Sequence, residues 1–145
     1  MKIGIVGTGN ISSRHFYEFS NIENVNVEAV CDINQNNLNK FLRTHNDKNI
    51  RGYSSLEEML EKENNFDGIS NTTPDKFHKA TTLQILEKGY NVFCEKPLAE
   101  NYKDAKHMVD AALKSKKINM VNFTYRESSA YQKLVEIIQS GDIGN

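Results

Sequence analysis

The chain has little of what marks several protein classes. Its 145 residues include only two cysteines, Cys31 and Cys94, which are too few for a disulfide framework. Both fall near the ends of predicted strands that are not neighbours in the expected sheet, so each is predicted to be a small buried hydrophobe rather than half of a disulfide. The cysteines and the four histidines also lack metal-like spacing, and the sequence predicts no metal site.

Long apolar runs and an excess of one charge are missing too. No run approaches the ~18 apolar residues of a membrane-spanning helix, and the apolar start at 3–6 is too short for a signal peptide. The 18 basic and 19 acidic side chains leave a net charge of -1, without a basic stripe. These absences argue against membrane and nucleic-acid partners, and the expected location is the cytoplasm.

What is present is a regular alternation of strand and helix signals. Apolar, β-branched runs predict strands at 2–7, 25–31, 66–71, 91–94 and 118–123, with a brief strand near 50–53. Helical periodicity predicts helices at 11–19, 35–44, from 54, at 76–88, after 101 and at 129–140. Either Ser54 with Glu57 or Ser55 with Glu58 could cap the helix from 54, Asn101 is predicted to cap the helix that follows it, and Gly89 to end the helix at 76–88. Phe77 is expected on the apolar face of the 76–88 helix, and the apolar stripe of the last helix is Leu134, Val135, Ile137 and Ile138. The pattern predicts an α/β fold, a Rossmann doubly wound parallel sheet with helices on both faces and strand order 3-2-1-4-5-6.

The first functional motif is a glycine-rich turn between the first strand and the first helix, Gly7-Thr8-Gly9-Asn10-Ile11-Ser12. Gly7 permits the tight turn, and Gly9 lets the backbone approach a pyrophosphate. Ser12 stands where Gly or Ala is usual, but it is still small. The exposed amides at the helix start then form an anion site, so the motif predicts a dinucleotide. The alternative is a glycine turn that binds nothing.

Asp32 ends the second strand, about 20 residues beyond the glycine turn, as the dinucleotide fingerprint requires. Its carboxylate can accept hydrogen bonds from both hydroxyls of the adenosine ribose and would repel a 2′-phosphate. Ile33 and Asn34 offer no compensating cation, so NAD is favoured over NADP. The alternative is that Asp32 only caps the following helix.

The string Glu95-Lys96-Pro97 follows the fifth strand at the edge where such sheets bind ligands. Hydride transfer to or from a carbon requires that its oxygen lose or gain a proton. A lysine ammonium beside that oxygen can stabilise the developing negative charge, so Lys96 is the candidate catalytic residue. The alternative is a solvated lysine paired with Glu95.

Together these motifs resemble the glucose-fructose oxidoreductase / inositol dehydrogenase (Gfo/Idh/MocA) family of NAD(P)-dependent sugar and polyol oxidoreductases, over the whole chain from Lys2 to Gly144. The resemblance implies hydride transfer between a nicotinamide and a secondary alcohol or carbonyl. It places Asn122 near the nicotinamide or substrate. His15, His45 and His107 receive no role, and each is expected on a surface or helix face. The implied cofactor-binding residues are Gly7, Thr8, Gly9, Asn10, Ile11, Asp32, Thr72, Thr73, Pro74, His78, Glu95, Lys96 and Arg126. The alternative for His78 is an ordinary residue at the start of a helix.

Members of this family are usually more than twice this length. The resemblance therefore implies that 1–145 is the NAD(P)-binding Rossmann domain, without the C-terminal domain that shapes the substrate pocket and much of the oligomer interface. We expect a sugar or polyol-like substrate and a possible homo-oligomer. Two hypotheses stay open: the cofactor-binding half of an oxidoreductase, and a stand-alone NAD-binding module or catalytically incomplete remnant.

Overall fold

The computed structural model describes residues 1–144, which contain one six-stranded parallel sheet in the order β3-β2-β1-β4-β5-β6. The strands are β1 (Lys2–Val6), β2 (Asn26–Cys31), β3 (Arg51–Tyr53), β4 (Gly68–Asn71), β5 (Val92–Cys94) and β6 (Asn119–Val121). The helices are α1 (Asn10–Ser20), α2 (Gln35–His45), α3 (Leu56–Lys62), α4 (His78–Glu87), α5 (Tyr102–Ser115) and α6 (Ser129–Ser140). The predicted fold class and strand order are confirmed.

The central strands are buried on both faces, which explains their nearly continuous apolar sequence. Side chains alternate between the faces along β1. Ile3 and Ile5 join one core cluster, which includes Phe41 of α2. Val6 joins the cluster on the opposite face, which includes Ile85 of α4. The sheet therefore separates two apolar cores, and its strand ends are the parts of it that polar groups can reach.

Local capping signals define several helix boundaries. The two capping alternatives at α3 are resolved in favour of Ser55, whose hydroxyl accepts a hydrogen bond from the Glu58 amide at 3.1 Å. Asn101 caps α5 as predicted, by accepting from the Asp104 amide at 3.0 Å. Gly89 follows α4 with a φ of +81°, in the left-handed region where glycine is favoured.

The start of α4 differs from the prediction. A 3₁₀ turn at Asp75–Phe77 precedes the helix, and the Phe77 amide donates to the Pro74 carbonyl at 2.8 Å. Such a turn is wound more tightly than an α-helix. Phe77, expected on the buried face, is exposed, and the neighbouring His78 is buried instead.

The apolar stripe predicted on α6 is present, but it is not buried. Leu134, Val135 and Ile138 are all exposed, as are Ile118 and Met120 beside and within β6. The two cysteines behave as expected, because Cys31 and Cys94 are both buried and free. Among the described residues, no helix combines the length and apolarity that crossing a membrane requires.

Candidate functional site

A cleft of about 750 Å³ lies at the carboxyl ends of the central strands. The strand order reverses at β1, because β2 and β3 lie on one side of it in the sheet and β4, β5 and β6 on the other. Open α/β sheets bind their ligands at such a switch point. The predicted residues that line this cleft are Gly7, Gly9, Asn10, Ile11, Asp32, Thr72, Thr73, Pro74, His78, Glu95 and Lys96. The fold thus brings together positions that are up to 89 residues apart (Gly7 to Lys96).

Gly7 and Gly9 of the loop differ in what a side chain at each position would meet. Gly7 has a φ of +86°, and a Cβ there would lie 2.9 Å from the backbone of Thr72 and Thr73. Gly9 is the opposite case, because a Cβ would meet no atom within 4 Å. Gly7 is needed for the fold, whereas Gly9 leaves open space at the start of α1.

That open space is suited to an anion. Helix α1 has Gly9 at its N-cap and no side chain that caps its first amides. Asn10 and Ile11 line the cleft, and no acidic residue lies in the first turn. Ser12 is fully buried and donates to the Gly9 carbonyl at 2.6 Å, which accounts for a serine at the third position of the motif. The free amides and the helix dipole therefore favour a phosphate here.

Asp32 is held by the glycine loop itself. Its Oδ2 accepts from the Thr8 amide at 2.7 Å and from the Thr8 hydroxyl at 2.9 Å, and its Oδ1 accepts from the Asn34 amide at 2.7 Å. Thr8 is buried and does not line the cleft. The side chain of Asn34 caps α2. The capping alternative for Asp32 is therefore wrong, and its Oδ1 retains an acceptor position for a further hydroxyl.

The loop after β4 forms the middle of the cleft. The buried hydroxyl of Thr72 donates to the Gly7 carbonyl at 2.6 Å, which joins this loop to the glycine loop. The Thr73 hydroxyl donates to Oδ1 of buried Asn71 at 2.7 Å. Pro74 is exposed beside it. Thr72 therefore has a structural bond of its own, while Thr73 and Pro74 supply cleft surface.

His78 connects this loop to the lysine loop. Its Nδ1 lies 2.7 Å from the Pro97 carbonyl, and its Nε2 lies 2.8 Å from the Thr73 carbonyl. The side chain is fully buried, and each ring nitrogen lies against a backbone carbonyl oxygen. Any effect of His78 on a cofactor would pass through the two loops that it joins.

A buried polar network surrounds Glu95, and it contains a residue that the sequence interpretation missed. Nε2 of His15 lies 2.7 Å from Glu95 Oε1, and the side-chain amide of Asn122 donates to the same oxygen at 2.5 Å. Nδ1 of His15 lies 2.8 Å from the Ser70 hydroxyl. His15 was assigned no role and was expected on a surface or helix face, but it is only 5% exposed.

A signal for His15 was present in the sequence. Ser12, His15 and Phe19 share one face of α1 by their helical spacing, and Ser12 is buried while Phe19 is half-buried. A histidine on that face has to find polar partners. Its partners lie 55 and 80 residues away, so the helical pattern predicts burial but does not identify them.

The network decides the charge of Glu95. Burial opposes ionisation of this carboxyl, but hydrogen bonds from Asn122, His15 and the Lys96 amide outweigh it and lower the pKa of Glu95 below its usual value. Within residues 1–144, Lys96 forms no salt bridge. The alternative of a lysine paired with Glu95 is therefore wrong, because the carboxylate is engaged elsewhere.

The chain of Ser70, His15 and Glu95 has the composition of a hydrolase triad. Ser70 is only 1% exposed, however, and its hydroxyl already contacts the imidazole inside the sheet. A substrate carbonyl has no path to this oxygen. The network is structural, and it joins α1 to the ends of β4, β5 and β6.

Arg126 is the predicted residue that lies apart from the others. It lines a second cleft of about 820 Å³ with Pro97, Phe123 and Tyr131. Its guanidinium is exposed and lies 3.6 Å from Glu127. Lys96 lines both clefts, so it stands where they meet.

A doubly wound sheet with an open glycine loop at α1 and an acid at the end of β2 defines a dinucleotide-binding domain. Residues 1–123 match the model of the GFO_IDH_MocA family, described as an oxidoreductase family with an NAD-binding Rossmann fold. The chain belongs to this family, and it is an NAD-binding oxidoreductase domain similar to those of sugar and polyol dehydrogenases.

The similar proteins support the same assignment. The chain is 33% identical to glucose-6-phosphate 3-dehydrogenase of Bacillus subtilis over 144 residues, 99% of this chain and 39% of the relative. It is 31% identical to inositol 2-dehydrogenase of Salmonella typhimurium, over 99% of this chain and 43% of the relative. The chain thus spans about two fifths of the length of these relatives.

Solved structures agree in fold. Myo-inositol dehydrogenase from Lactobacillus casei, in complex with NAD(H) and myo-inositol, is 30% identical with a TM-score of 0.89 over 99% of this chain and 42% of that one. The WlbA dehydrogenase from Bordetella pertussis, in complex with NADH and UDP-GlcNAcA, is 27% identical with a TM-score of 0.88 over 97% of this chain and 42% of that one.

Proposed function

We propose that this chain is the cofactor-binding half of an NAD-dependent oxidoreductase that transfers a hydride between the nicotinamide and a secondary alcohol or carbonyl of a sugar or polyol-like molecule. Residues 1–145 would form the Rossmann domain of that enzyme, and Lys96 would be its catalytic lysine. The observation that carries the proposal is the position of Lys96, at the meeting point of the glycine-loop cleft and the second cleft.

The order of groups along the first cleft supports this use. Asp32 at one end has acceptor capacity for a ribose hydroxyl, and its charge disfavours a 2′-phosphate. The open space at Gly9 follows, where backbone amides can bind a diphosphate. Thr73 and Pro74 follow β4, and Lys96 follows β5, three strands away from β2 and Asp32 in the sheet. This order suits NAD, whose nicotinamide supplies the hydride chemistry when it is bound.

The role of Lys96 follows from charge. Oxidation of a secondary alcohol builds negative charge on the oxygen as its proton leaves, and reduction of the carbonyl does the reverse. An ammonium that forms no salt bridge within residues 1–144 can stabilise that charge or supply the proton. Arg126 lines the same second cleft as Lys96 and adds positive charge on that side.

The substrate class rests on the relatives. The relatives include a glucose-6-phosphate 3-dehydrogenase and an inositol 2-dehydrogenase, and one solved relative holds myo-inositol together with NAD(H). Because this chain spans about two fifths of their length, its substrate and its turnover are proposals. The cytoplasmic location and the homo-oligomer stay predictions of the sequence.

The second candidate is a stand-alone NAD-binding module without turnover. The complete cofactor cleft within residues 1–144 is compatible with it. A lysine placed at the junction of two clefts favours the enzyme, because binding of NAD alone has no need of it. The mass of the native protein would separate the two candidates, since a longer native chain supports the enzyme and a native 145-mer supports the module.

The decisive experiment compares the wild type with Lys96→Met. Calorimetric titration should show NAD affinity changed by less than about threefold, because Lys96 follows β5, three strands away from Asp32 in the sheet. In a preparation that oxidises polyols or sugars, followed by NADH absorbance, the same substitution should lower turnover by at least about 100-fold. Unimpaired turnover of Lys96→Met would refute the role of Lys96, and a failure of the wild type to bind NAD would refute the proposal as a whole.

A further inference from the structure

The carboxylate next to Lys96 is turned away from it and held inside the fold. Glu95 is 5% exposed, and both of its oxygens accept hydrogen bonds. Oε1 accepts from His15 and Asn122, and Oε2 accepts from the Lys96 amide at 3.1 Å. The lysine side chain, which follows immediately, is exposed. The negative charge of Glu95 thus lies inside the fold, whereas the adjacent positive side chain of Lys96 lies at the surface.

This arrangement needs a cause, because adjacent opposite charges attract each other. The Asn122 amide supplies one hydrogen bond, but it comes from the end of the edge strand β6, where Asn122 itself is half-buried. His15 comes from α1 and is buried against the rings of Phe19 and Phe93, with centroids 6.1 and 5.5 Å away. A hydrogen bond to a charged group is stronger in such apolar surroundings than at a surface.

The orientation of the imidazole is fixed from its other side. Ser70 lies 2.8 Å from Nδ1, so a rotation of the ring would break two contacts at once. This leaves Nε2 directed at Glu95. Because α1 also begins with the glycine loop, the same helix contributes the phosphate site at one end and the anchor of Glu95 one turn further on.

We propose that His15 is a positioning residue for Lys96: it holds the Glu95 carboxylate inside the fold and thereby leaves the lysine ammonium unpaired at the junction of the two clefts. The role of Lys96 in hydride transfer rests on the proposed function, but the pairing of its ammonium does not. Without the Nε2 contact, the Glu95 carboxylate would turn to the adjacent ammonium.

Two substitutions test the contact of His15 with Glu95 separately from its contact with Ser70. In His15→Gln, the amide nitrogen takes the place of Nε2, so the contact with Glu95 is kept. In His15→Asn, the shorter amide takes the place of Nδ1, so the contact with Ser70 is kept and that with Glu95 is lost. Both replacements are neutral and polar, which makes them a matched pair. Circular dichroism and amide NMR spectra would verify that each is folded.

The readout is the acylation rate of individual lysines in the cofactor-free chain, measured by peptide mass spectrometry at low and high salt. Two exposed lysines of α5 provide internal references. Lys106 is paired with Asp110 at 2.8 Å, and Lys114 forms no salt bridge within the described residues. A paired exposed lysine reacts slowly and speeds up when salt screens its partner, whereas an unpaired lysine does not.

We expect wild-type Lys96 and Lys96 of His15→Gln to behave like Lys114. In His15→Asn, acylation of Lys96 should slow several-fold at low salt and recover at high salt, as for Lys106. An unchanged rate in folded His15→Asn would overturn the proposal. If that variant does not fold, the wild type still tests the proposal. Salt-sensitive acylation of wild-type Lys96 would show that its ammonium is already paired, and it would overturn the proposal. These outcomes do not depend on NAD binding, so they are separate from a failure of the proposed function.

Discussion

Thr8 donates two hydrogen bonds to a single oxygen of Asp32, one from its amide and one from its hydroxyl. The glycine loop after β1 therefore fixes the acid at the end of β2, which lies beside it in the sheet. The group that would bind the ribose and the loop that would bind the diphosphate are thus one rigid arrangement. Thr8 supplies two of the three hydrogen bonds that Asp32 accepts, and it does not itself line the cleft.

We expect NAD to bind more tightly than NADP. The substitution Asp32→Gly should reduce the ratio of the two affinities, because it removes the carboxylate that repels a 2′-phosphate. Calorimetric titration of both cofactors against both proteins measures this. Thr8→Val is the control, since it removes a hydroxyl but keeps the charge of Asp32, and it should retain the preference for NAD. Tighter binding of NADP by the wild type would contradict the interpretation of Asp32.

Substitutions at the two glycines of the loop should have different effects. Gly9→Val should abolish measurable NAD binding and leave the fold intact, because its side chain enters space that contains no protein atom within 4 Å. Gly7→Ala should instead destabilise the fold by at least about 1 kcal/mol, because the residue has a φ of +86° and a Cβ would collide with the backbone of Thr72. Urea unfolding and NAD titration of both variants separate these effects. Normal NAD affinity in a folded Gly9→Val chain would show that phosphate binds elsewhere.

The features that were predicted from sequence are those that short-range rules determine. The glycine loop, the cap at Asn101 and the stop at Gly89 each depend on residues within a few positions of one another. The strand order followed from the alternation of strands and helices, because parallel strands with helical crossovers have few alternatives. Eleven of the thirteen candidate site residues line one cleft, all except Thr8 and Arg126, but several of them, such as Thr73 and His78, came from the family resemblance and not from these rules.

The features that were missed depend on contacts between distant parts of the chain. His15 is joined to Ser70 and Glu95, which lie 55 and 80 residues away, and no local pattern contains that information. Arg126 is assigned to the cofactor residues by resemblance, and the turn after β6 places it in the second cleft, so its role stays a prediction. The sequence predicts the helix α6 and its apolar stripe correctly. A helical pattern indicates which side chains share a face, but it does not indicate whether another element covers that face.

The two cysteines should resist thiol reagents while the chain is folded. Burial raises the pKa of Cys31 to about 12 and that of Cys94 to about 11, so almost no reactive thiolate is present at neutral pH. We expect a disulfide-exchange reagent such as Ellman's reagent to label neither cysteine in buffer and both in concentrated urea. Rapid labelling of a cysteine in the folded chain would show that the end of its strand opens.

Acid should destabilise the chain partly through Glu63, a buried carboxylate of the loop after α3. Arg51 donates to both of its oxygens, and the Tyr53 hydroxyl donates to Oε1 at 2.5 Å. The hydrogen bonds from Arg51 outweigh burial and lower the pKa of Glu63 below its ordinary value of 4.5. Because the folded pKa is the lower one, this stabilisation is present above about pH 4.5 and is lost as the pH falls through the folded pKa.

We therefore expect Glu63→Gln to lower the free energy of unfolding by about 1–3 kcal/mol at pH near 7, with a difference from the wild type that shrinks at pH values below the folded pKa. The reason is that protonation removes the same charge that the substitution removes. Urea unfolding at a series of pH values gives the measurement. Glu58→Gln is the matched control, because the Glu58–Lys62 pair is exposed and should contribute far less. A difference between wild type and Glu63→Gln that stays constant down to strongly acidic pH would show that the charge of Glu63 is not what stabilises the fold.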